Sequence, residues 1–466
     1  MAKNVTIEEK DLAYTFAQNV VRVRYEDLPH EVVETTKRSV LDTLGVIMAA
    51  SGMVPGIAEI VELVKETGGR EESTIVGFGG RVPAWMAAFA NAAMGHALDY
   101  DDLHHGAMLH PSSPTVTAGF AIAEWLGDVA GRDFITAVAL GNDLACRLGL
   151  SVPLKGTWHS TTVFGVFAAA AISGKLLGLD EERMVDAFGI AFCQAAGTME
   201  LREGVGSNIG GMRDAFPAKG GVLSALMAHK GISGVKNCFE GRAGLFPVYF
   251  GGEYDREVLT SELGKRFEGA NVGFKPWPSC GTTHIYIDAT LQIVSEHKIA
   301  PEDIEEITAT VGDFAQKLFV PLEGRRRPAT TLDAKFSIPF TVATAAARRN
   351  VVIKDFTPEG IKDPDSLKMA QKVVPRYDDA FTTLKGRPPG EIEIRTRQGK
   401  VYRKRLEVPY GHHTRPLGQQ DIVKKFRDCA LYSVRPLPPE NVDRAIELVS
   451  HLETLKDVGQ VIRLLG

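Results

Sequence analysis

From its start to about residue 268 the chain places apolar residues at three- and four-residue intervals, the spacing that lines one side of a helix. Residues 10–20 and 30–50 follow this rule, and TTKRSVLDTLGVIMAA is the clearest stretch. SPTVTAGFAIAEWL (113–126) follows a proline and is rich in small residues, as closely packed buried helices are. VFGVFAAAAI (163–172) is apolar on every side, yet shorter than the roughly 20 residues that a helix needs to span a bilayer. GKLLGLDEERMVDAFGIAFCQAAG predicts a helix end, Asp180 as the next N-cap with Glu182 two positions on, and a further apolar helix. Period-two alternation is scarce throughout, so this part reads as a bundle of Ala/Gly-rich helices.

The pattern changes near Phe267. IEEITATVGDF (304–314) is β-branched and alternating, and EIEIRTRQGKVYRKRLEVPYG (391–411) holds two alternating runs around Gln-Gly-Lys, a predicted hairpin. Helical spacing persists between them, as in THIYIDATLQIVSEH (283–297). The tail, from QQDIVKKFRDCALY onward, is again amphipathic helix. The expectation is a mainly α protein: a large all-α domain of residues 1–268 with 409–466, and a smaller α+β lid domain of residues 269–408. The tail is expected to pack back on the first domain.

Composition narrows the function. A 44% hydrophobic and 24% charged chain of 466 residues can bury a large core. Its net charge of −5 offers no general attraction to nucleic acid or to an anionic membrane. The five cysteines are at least 42 residues apart, with no CxxC pair. That predicts a reducing, cytoplasmic setting and argues against an iron–sulfur cluster. The N-terminal residues are charged and lack the apolar core of an export signal.

The densest chemistry is HALDYDDLHHGAMLHP (96–111), with four of the twelve histidines and three aspartates. His96, Asp99, Asp101, His104, His105 and His110 offer every ligand type that zinc or manganese takes, but not in a familiar zinc spacing. A hydrated polar loop explains the composition equally simply, with His104 and His105 as bystanders. In GTWHSTTVFGVFAAAA, His159 lies at a loop-to-helix junction where a Ser or Thr is the expected N-cap and an anion could sit. The plain alternative is a satisfied core histidine. GVGSNIGG (204–211) lacks the Gly-Lys-Ser/Thr ending of a P-loop and reads as a substrate loop, with Arg213 the nearest cation. FKPWPSCGTTH (274–284) brings together Lys275, Cys280 and His284. Four residues apart at a helix start, the last two need not face each other as a nucleophile pair. DAKFSIPF (333–340) sets Lys335 among apolar residues, which is costly without an anion nearby. Arg325–Arg327 reads as a solvated turn.

Taken together and in this order, HALDYDD…HP, GTWHSTT·FGVFAAAA··GKLLGLD, KPWPSCGTTH···DA and TTLDAKFSIPF resemble the MmgE/PrpD family over nearly the whole chain. That family includes 2-methylcitrate dehydratases, cis-aconitate decarboxylases and iminodisuccinate epimerases. The resemblance implies a homodimer with a large helical domain and a smaller α+β lid, acting on a small di- or tricarboxylate without metal or organic cofactor. It places Asp99, His110, His159 and Lys275 at catalytic positions, in one cleft between the domains, and Arg213, Cys280, His284 and Lys335 as substrate-binding residues. The chain departs from the decarboxylases at several points. Leu103 stands where they often have Thr, and the stretch from Asp99 to His110 is one residue longer. GGMRD replaces a Lys/Arg-Leu-His element, and Cys280 stands at a histidine position.

The chemistry shared by those activities is negative charge developing on carbon beside a carboxylate. It needs fixed cations and acid–base groups flanking the reacting carbon. Dehydration, decarboxylation and epimerisation all remain open, as do a metal-dependent hydrolase built on residues 96–110 and a helical scaffold without activity.

Overall fold

The apolar stretch that begins at Ser160 forms a 17-residue helix, Ser160–Leu176, with every residue from Thr161 to Gly174 buried. A helix that is apolar on all sides must be surrounded, and this one is. Helices Ala215–His229, Gly131–Ser151, Ser112–Leu126 and Glu181–Phe192 all pack on it. Small residues set how closely they approach. A Cβ added to Gly221 would lie 2.6 Å from the backbone nitrogen of Ala170, so only glycine lets Ala215–His229 come this near. Asp180 caps Glu181–Phe192, its side chain accepting from the Arg183 amide. The core of this region joins Phe164 and Phe167 to Phe16, Phe188, Phe239 and Phe246.

The computed structural model describes residues 10–153, 156–203, 207–382 and 388–466. They form two units: the first holds residues up to Ala97, Asp101–Val272 and Ala430–Gly466, the second Leu98–Tyr100 and Gly273–Cys429. The protein is thus mainly α with a smaller α/β unit. Strand pairing in the first unit is limited, among the described residues, to the two-residue ladder of Ser73–Thr74 with Arg81–Val82 and isolated bridges. Among the described residues no single helix is long and apolar enough to cross a membrane.

The second unit is built on a four-stranded sheet in the order Val373–Tyr377, Ile304–Val311, Gly390–Thr396, Val401–Leu406. The first pair is parallel and the other two antiparallel, the last being the hairpin around Gln398-Gly399. Alternation in Gly390–Thr396 buries Ile392 and Ile394 beneath helix Gly281–Glu296, where they meet Ile285, Tyr286 and Ala289.

The division differs from the sequence expectation in three places. The break falls after Val272, residues 98–100 belong to the second unit, and so do residues 409–429, which were expected in the helical domain. The reason for the last is visible at Lys425, on helix Gln419–Ala430. Its buried ammonium donates to the carbonyls of Tyr100 (2.6 Å) and Lys275 (3.1 Å) and lies 3.8 Å from the centre of the Tyr100 ring. Helical periodicity shows that a segment has an apolar side, not which partner that side covers.

Candidate functional site

The sequence-predicted residues fall into two sets, one in each unit. In the first unit, helix Ala84–Ala97 ends just after His96, and the chain then turns back toward helix Ser112–Leu126. Asp101, fully buried, sits within that turn. Its carboxylate lies 2.9 and 3.0 Å from His96 Nδ1 and 3.2 Å from His110 Nδ1. His110 Nδ1 is also 2.7 Å from the Asp102 carbonyl. Carbonyl and carboxylate oxygens only accept, so both imidazoles carry their proton on Nδ1. The remaining nitrogen of His96, Nε2, then has a lone pair, and Arg213 Nη2 donates to it at 2.6 Å. A second guanidinium nitrogen, Nη1, donates to the Gly210 carbonyl. The result is a directed chain: Arg213 to His96, His96 to Asp101, and His110 to Asp101 from the other side.

Burial, and next the charge of Arg213, lower the pKa of His96 to about 4 against the opposing pull of Asp101. His96 is therefore neutral at pH 7. Burial alone would raise the Asp101 carboxyl, but His110 and His96 hold it well below the usual carboxylate range. With His96 neutral, its Nδ1–H contributes to this as a hydrogen-bond donor.

His159 corrects the expectation of a Ser or Thr cap, being itself the N-cap of Ser160–Leu176. Its amide donates to the Gly197 carbonyl at 3.0 Å and its carbonyl accepts from the Val163 amide at 3.1 Å. Nδ1 of its ring is buried and has no hydrogen-bond partner among the described residues. Burial, then Arg213, His96, His110 and Arg202, push its pKa well below the ordinary value, leaving a neutral imidazole at pH 7. The His110 amide donates to Thr161 Oγ1 at 3.0 Å, which ties the His110 turn to the start of the same helix. Residues 204–206 of the glycine-rich loop lie outside the described residues.

Two further groups of this stretch have structural duties. His104 is buried, and its Nδ1 accepts from the Ala107 amide at 3.0 Å, closing the turn. The Asp102 carboxylate accepts from Ser112 Oγ (2.5 Å), Ser112 N (3.3 Å) and Ser39 Oγ (3.2 Å) at the start of Ser112–Leu126. Burial, with the neighbouring Asp42 and Asp101 charges, nonetheless raises its pKa to about 7. A carboxyl whose folded pKa exceeds the unfolded value of about 3.9 binds its proton more tightly when folded. Its stabilising share is complete below pH 4 and lost as pH rises through 7. Raising the pH from 5 to 8 should therefore lower the urea midpoint of the wild type more than that of Asp102→Asn.

In the second unit Asp99 adopts φ +51°, a left-handed backbone uncommon outside glycine. Lys275, 4% exposed, holds it there by donating to the Asp99 carbonyl at 2.8 Å and to its carboxylate. Lys335 is also buried, and no hydrogen bond or ion pair engages its ammonium among the described residues. Burial lowers its pKa to about 8, with Asp99 opposing the shift and Lys275 adding to it. The Lys335 carbonyl accepts from the amide of Cys280, the N-cap of Gly281–Glu296. His284 Nε2–H is directed to the Ser279 carbonyl at 3.1 Å, which fixes its ring beside Trp277. Of the arginine run, Arg326 departs from the solvated-turn expectation: it donates to the Val373 carbonyl and is largely covered.

The metal reading does not fit this geometry. His96, Asp101 and Asp214 can bring ligand atoms within 4.8 Å of one another. But His96 gives one ring nitrogen to Asp101 and the other to a guanidinium, a fixed cation where a metal ion would have to bind.

The helical unit thus carries an imidazole–carboxylate–imidazole chain and the α/β unit a group of buried lysines. The MmgE/PrpD N-terminal domain matches residues 14–257 and the MmgE/PrpD C-terminal domain residues 277–453. The chain belongs to the MmgE/PrpD family. It is 26% identical to the cis-aconitate decarboxylase-like protein oryM of Aspergillus oryzae, over 96% of this chain and 95% of that protein. It is also 26% identical to the cis-aconitate decarboxylases of Aspergillus terreus (95% and 93% covered) and Homo sapiens (98% and 95%).

Proposed function

We propose that the protein is a lyase that moves a proton at a carbon next to a carboxylate of a small tricarboxylate, with no organic cofactor. The observation that carries this reading is His159: a neutral buried imidazole under the field of Arg213, its Nδ1 unpartnered among the described residues. A buried nitrogen without a partner costs about 1–3 kcal/mol in the free protein. A bound substrate that supplies the missing partner offsets that cost.

In the proposed reaction His159 and His110 exchange protons with the substrate, and burial keeps His159 in its neutral, basic form. Arg213 stabilises the negative charge that develops beside the carboxylate. Lys275 and Lys335 bind carboxylate groups, and Asp99 orients Lys275. If the substrate has a hydroxyl β to the acidic carbon, the proton leaves that carbon, the C–O bond breaks and water departs. If it is a β,γ-unsaturated acid, the C–C bond breaks, carbon dioxide leaves and the proton is delivered to carbon. The names of the relatives favour the second outcome. The homodimer is part of the proposal, and sedimentation equilibrium should return twice the chain mass.

The deciding experiment is NMR in deuterium oxide with a panel including cis-aconitate, 2-methylcitrate and simple dicarboxylates, after exhaustive chelation. Deuterium entering the carbon next to a carboxylate, with an alkene or carbon dioxide produced, is the expected result. Epimerised product with no bond lost would replace the lyase by an epimerase. Activity restored only by added metal would return the hydrolase.

Lys335 gives a second check. Its folded pKa of about 8 lies below the unfolded value of about 10.4, so its burial destabilises the fold fully below pH 8 and not above pH 11. Lys335→Met should therefore raise the urea midpoint at pH 7, by less at pH 10, while weakening tricarboxylate binding in calorimetry. A midpoint that falls at pH 7 would show that an anion or partner already neutralises this lysine.

A further inference from the structure

We propose that His96 is a positioning residue: an Nδ1–H imidazole that joins Arg213 to the Asp101 carboxylate and thereby holds that carboxylate where it orients His110. The inference rests on the acid–base role given to His110 above.

The chain Arg213–His96–Asp101–His110 has only one consistent arrangement of protons. A guanidinium can only donate, so His96 Nε2 must accept and its proton must be on Nδ1. That proton points at Asp101, which accepts from both imidazoles. His110 Nδ1–H is shared between Asp101 and the Asp102 carbonyl, leaving Nε2 as its basic nitrogen. Moving the His96 proton to Nε2 would set two N–H groups against each other and leave Asp101 short of a donor. His96, Asp101 and Arg213 are all buried, so water cannot repair such a mismatch. His96 lies deeper than His110, its two ring nitrogens are both engaged by protein groups, and its low pKa keeps it out of proton exchange at neutral pH. It holds a geometry and does not touch the reacting atoms. Its position at the end of Ala84–Ala97 anchors that geometry to a helix of the core.

The test uses the full chain labelled with ¹⁵N-histidine at pH 7.5, reading the tautomer of each imidazole from its proton–nitrogen couplings. His96 and His110 should each show a single Nδ1–H tautomer in the wild type. In His96→Asn the amide nitrogen stands where Nδ1 stood and still donates to Asp101, while Arg213 loses its acceptor, so kcat should fall by less than in His96→Leu. In His96→Leu that donor is lost. His110 should keep its Nδ1–H, which Asp101 and the Asp102 carbonyl still accept, but Asp101 is no longer held from the His96 side, and kcat should fall by about 10–100-fold, the usual effect of losing a supporting hydrogen bond around an active group, with a smaller change in KM. A wild-type His96 protonated on Nε2 overturns the proposal whether or not any variant folds, and so does a folded His96→Leu that keeps the wild-type kcat or that loses no more than His96→Asn. The tautomers are read without substrate. A protein with these tautomers that acts on no carboxylate would refute the lyase and leave the positioning chain standing.

Discussion

His159→Gln is expected to lower kcat by about 10²–10⁴-fold while moving KM much less, because a general acid–base group contributes chiefly in the transition state. The ring sits where the backbone enters a helix, but the cap itself is made by backbone groups: the amide to Gly197 and the carbonyl to Val163. Those bonds survive the substitution, so circular dichroism should be unchanged. Glutamine keeps polarity and approximate length but cannot accept a proton at neutral pH. The natural comparison is Lys275→Ala, which removes a cation present in both ground and transition states. That variant should raise KM, and a neutral ester at the bound carboxylate should suffer less from it than the free acid. A folded His159→Gln protein with nearly full activity would make this histidine a buried polar residue and nothing more.

The second large effect concerns stability. Arg147 is fully buried, its Nε paired with Asp143 at 2.9 Å. Its other nitrogens donate to the carbonyls of Val258, Ser261 and Arg266 at 2.9, 2.9 and 2.6 Å. Asp143 in turn accepts from the Glu268 amide at 2.6 Å. One side chain thus gathers the end of helix Arg256–Thr260 and the segment after it, to Arg266, onto helix Gly131–Ser151. Arg147→Met takes a donor from three carbonyls and the neutralising cation from a buried carboxylate. Removing one partner of a buried pair costs about 3–5 kcal/mol, most of it from the charge left behind. Urea unfolding should show a loss of that size. Arg147→Met with Asp143→Asn should lose less than the single variant, since the orphaned charge is then gone. Equal losses would mean that the carbonyl bonds, and not the charge, dominate.

Part of this was readable before any coordinates, for identifiable reasons. Helices such as Ser160–Leu176 and the hairpin at Gln398-Gly399 follow from short-range periodicity and turn chemistry, which the chain carries locally. His159 and Lys335 stand out because polar groups in small-residue or apolar surroundings need a reason to be there, whereas Asp99, His110 and Lys275 are picked out by the family motifs and Arg213 as the cation beside a glycine-rich loop. His96 and Asp101 could be named only as possible metal ligands, because their pairing depends on how the chain turns after Ala97, and spacing alone does not give that turn. The cap at His159 was misplaced by one residue because Ser160 is the better capper by propensity. The duty of Arg147 was hidden as well: its acceptors are carbonyls more than a hundred residues away, and a carbonyl leaves no mark in a sequence.

The membership of Leu98–Tyr100 in the second unit bears on how the protein is made. Lys275 finds its acceptors on Asp99, 176 residues earlier, and Lys425 finds one on Tyr100, 325 residues earlier. On a ribosome these three early residues emerge long before either lysine exists, so the lysine cluster must be among the last parts to mature. A gene fragment for residues 273–429 would encode the sheet and its helix yet lack the Asp99 acceptors of Lys275 and the Tyr100 acceptor of Lys425. The second unit is therefore not a cassette that recombination could move intact, and its lysines and the 98–100 segment must be inherited together.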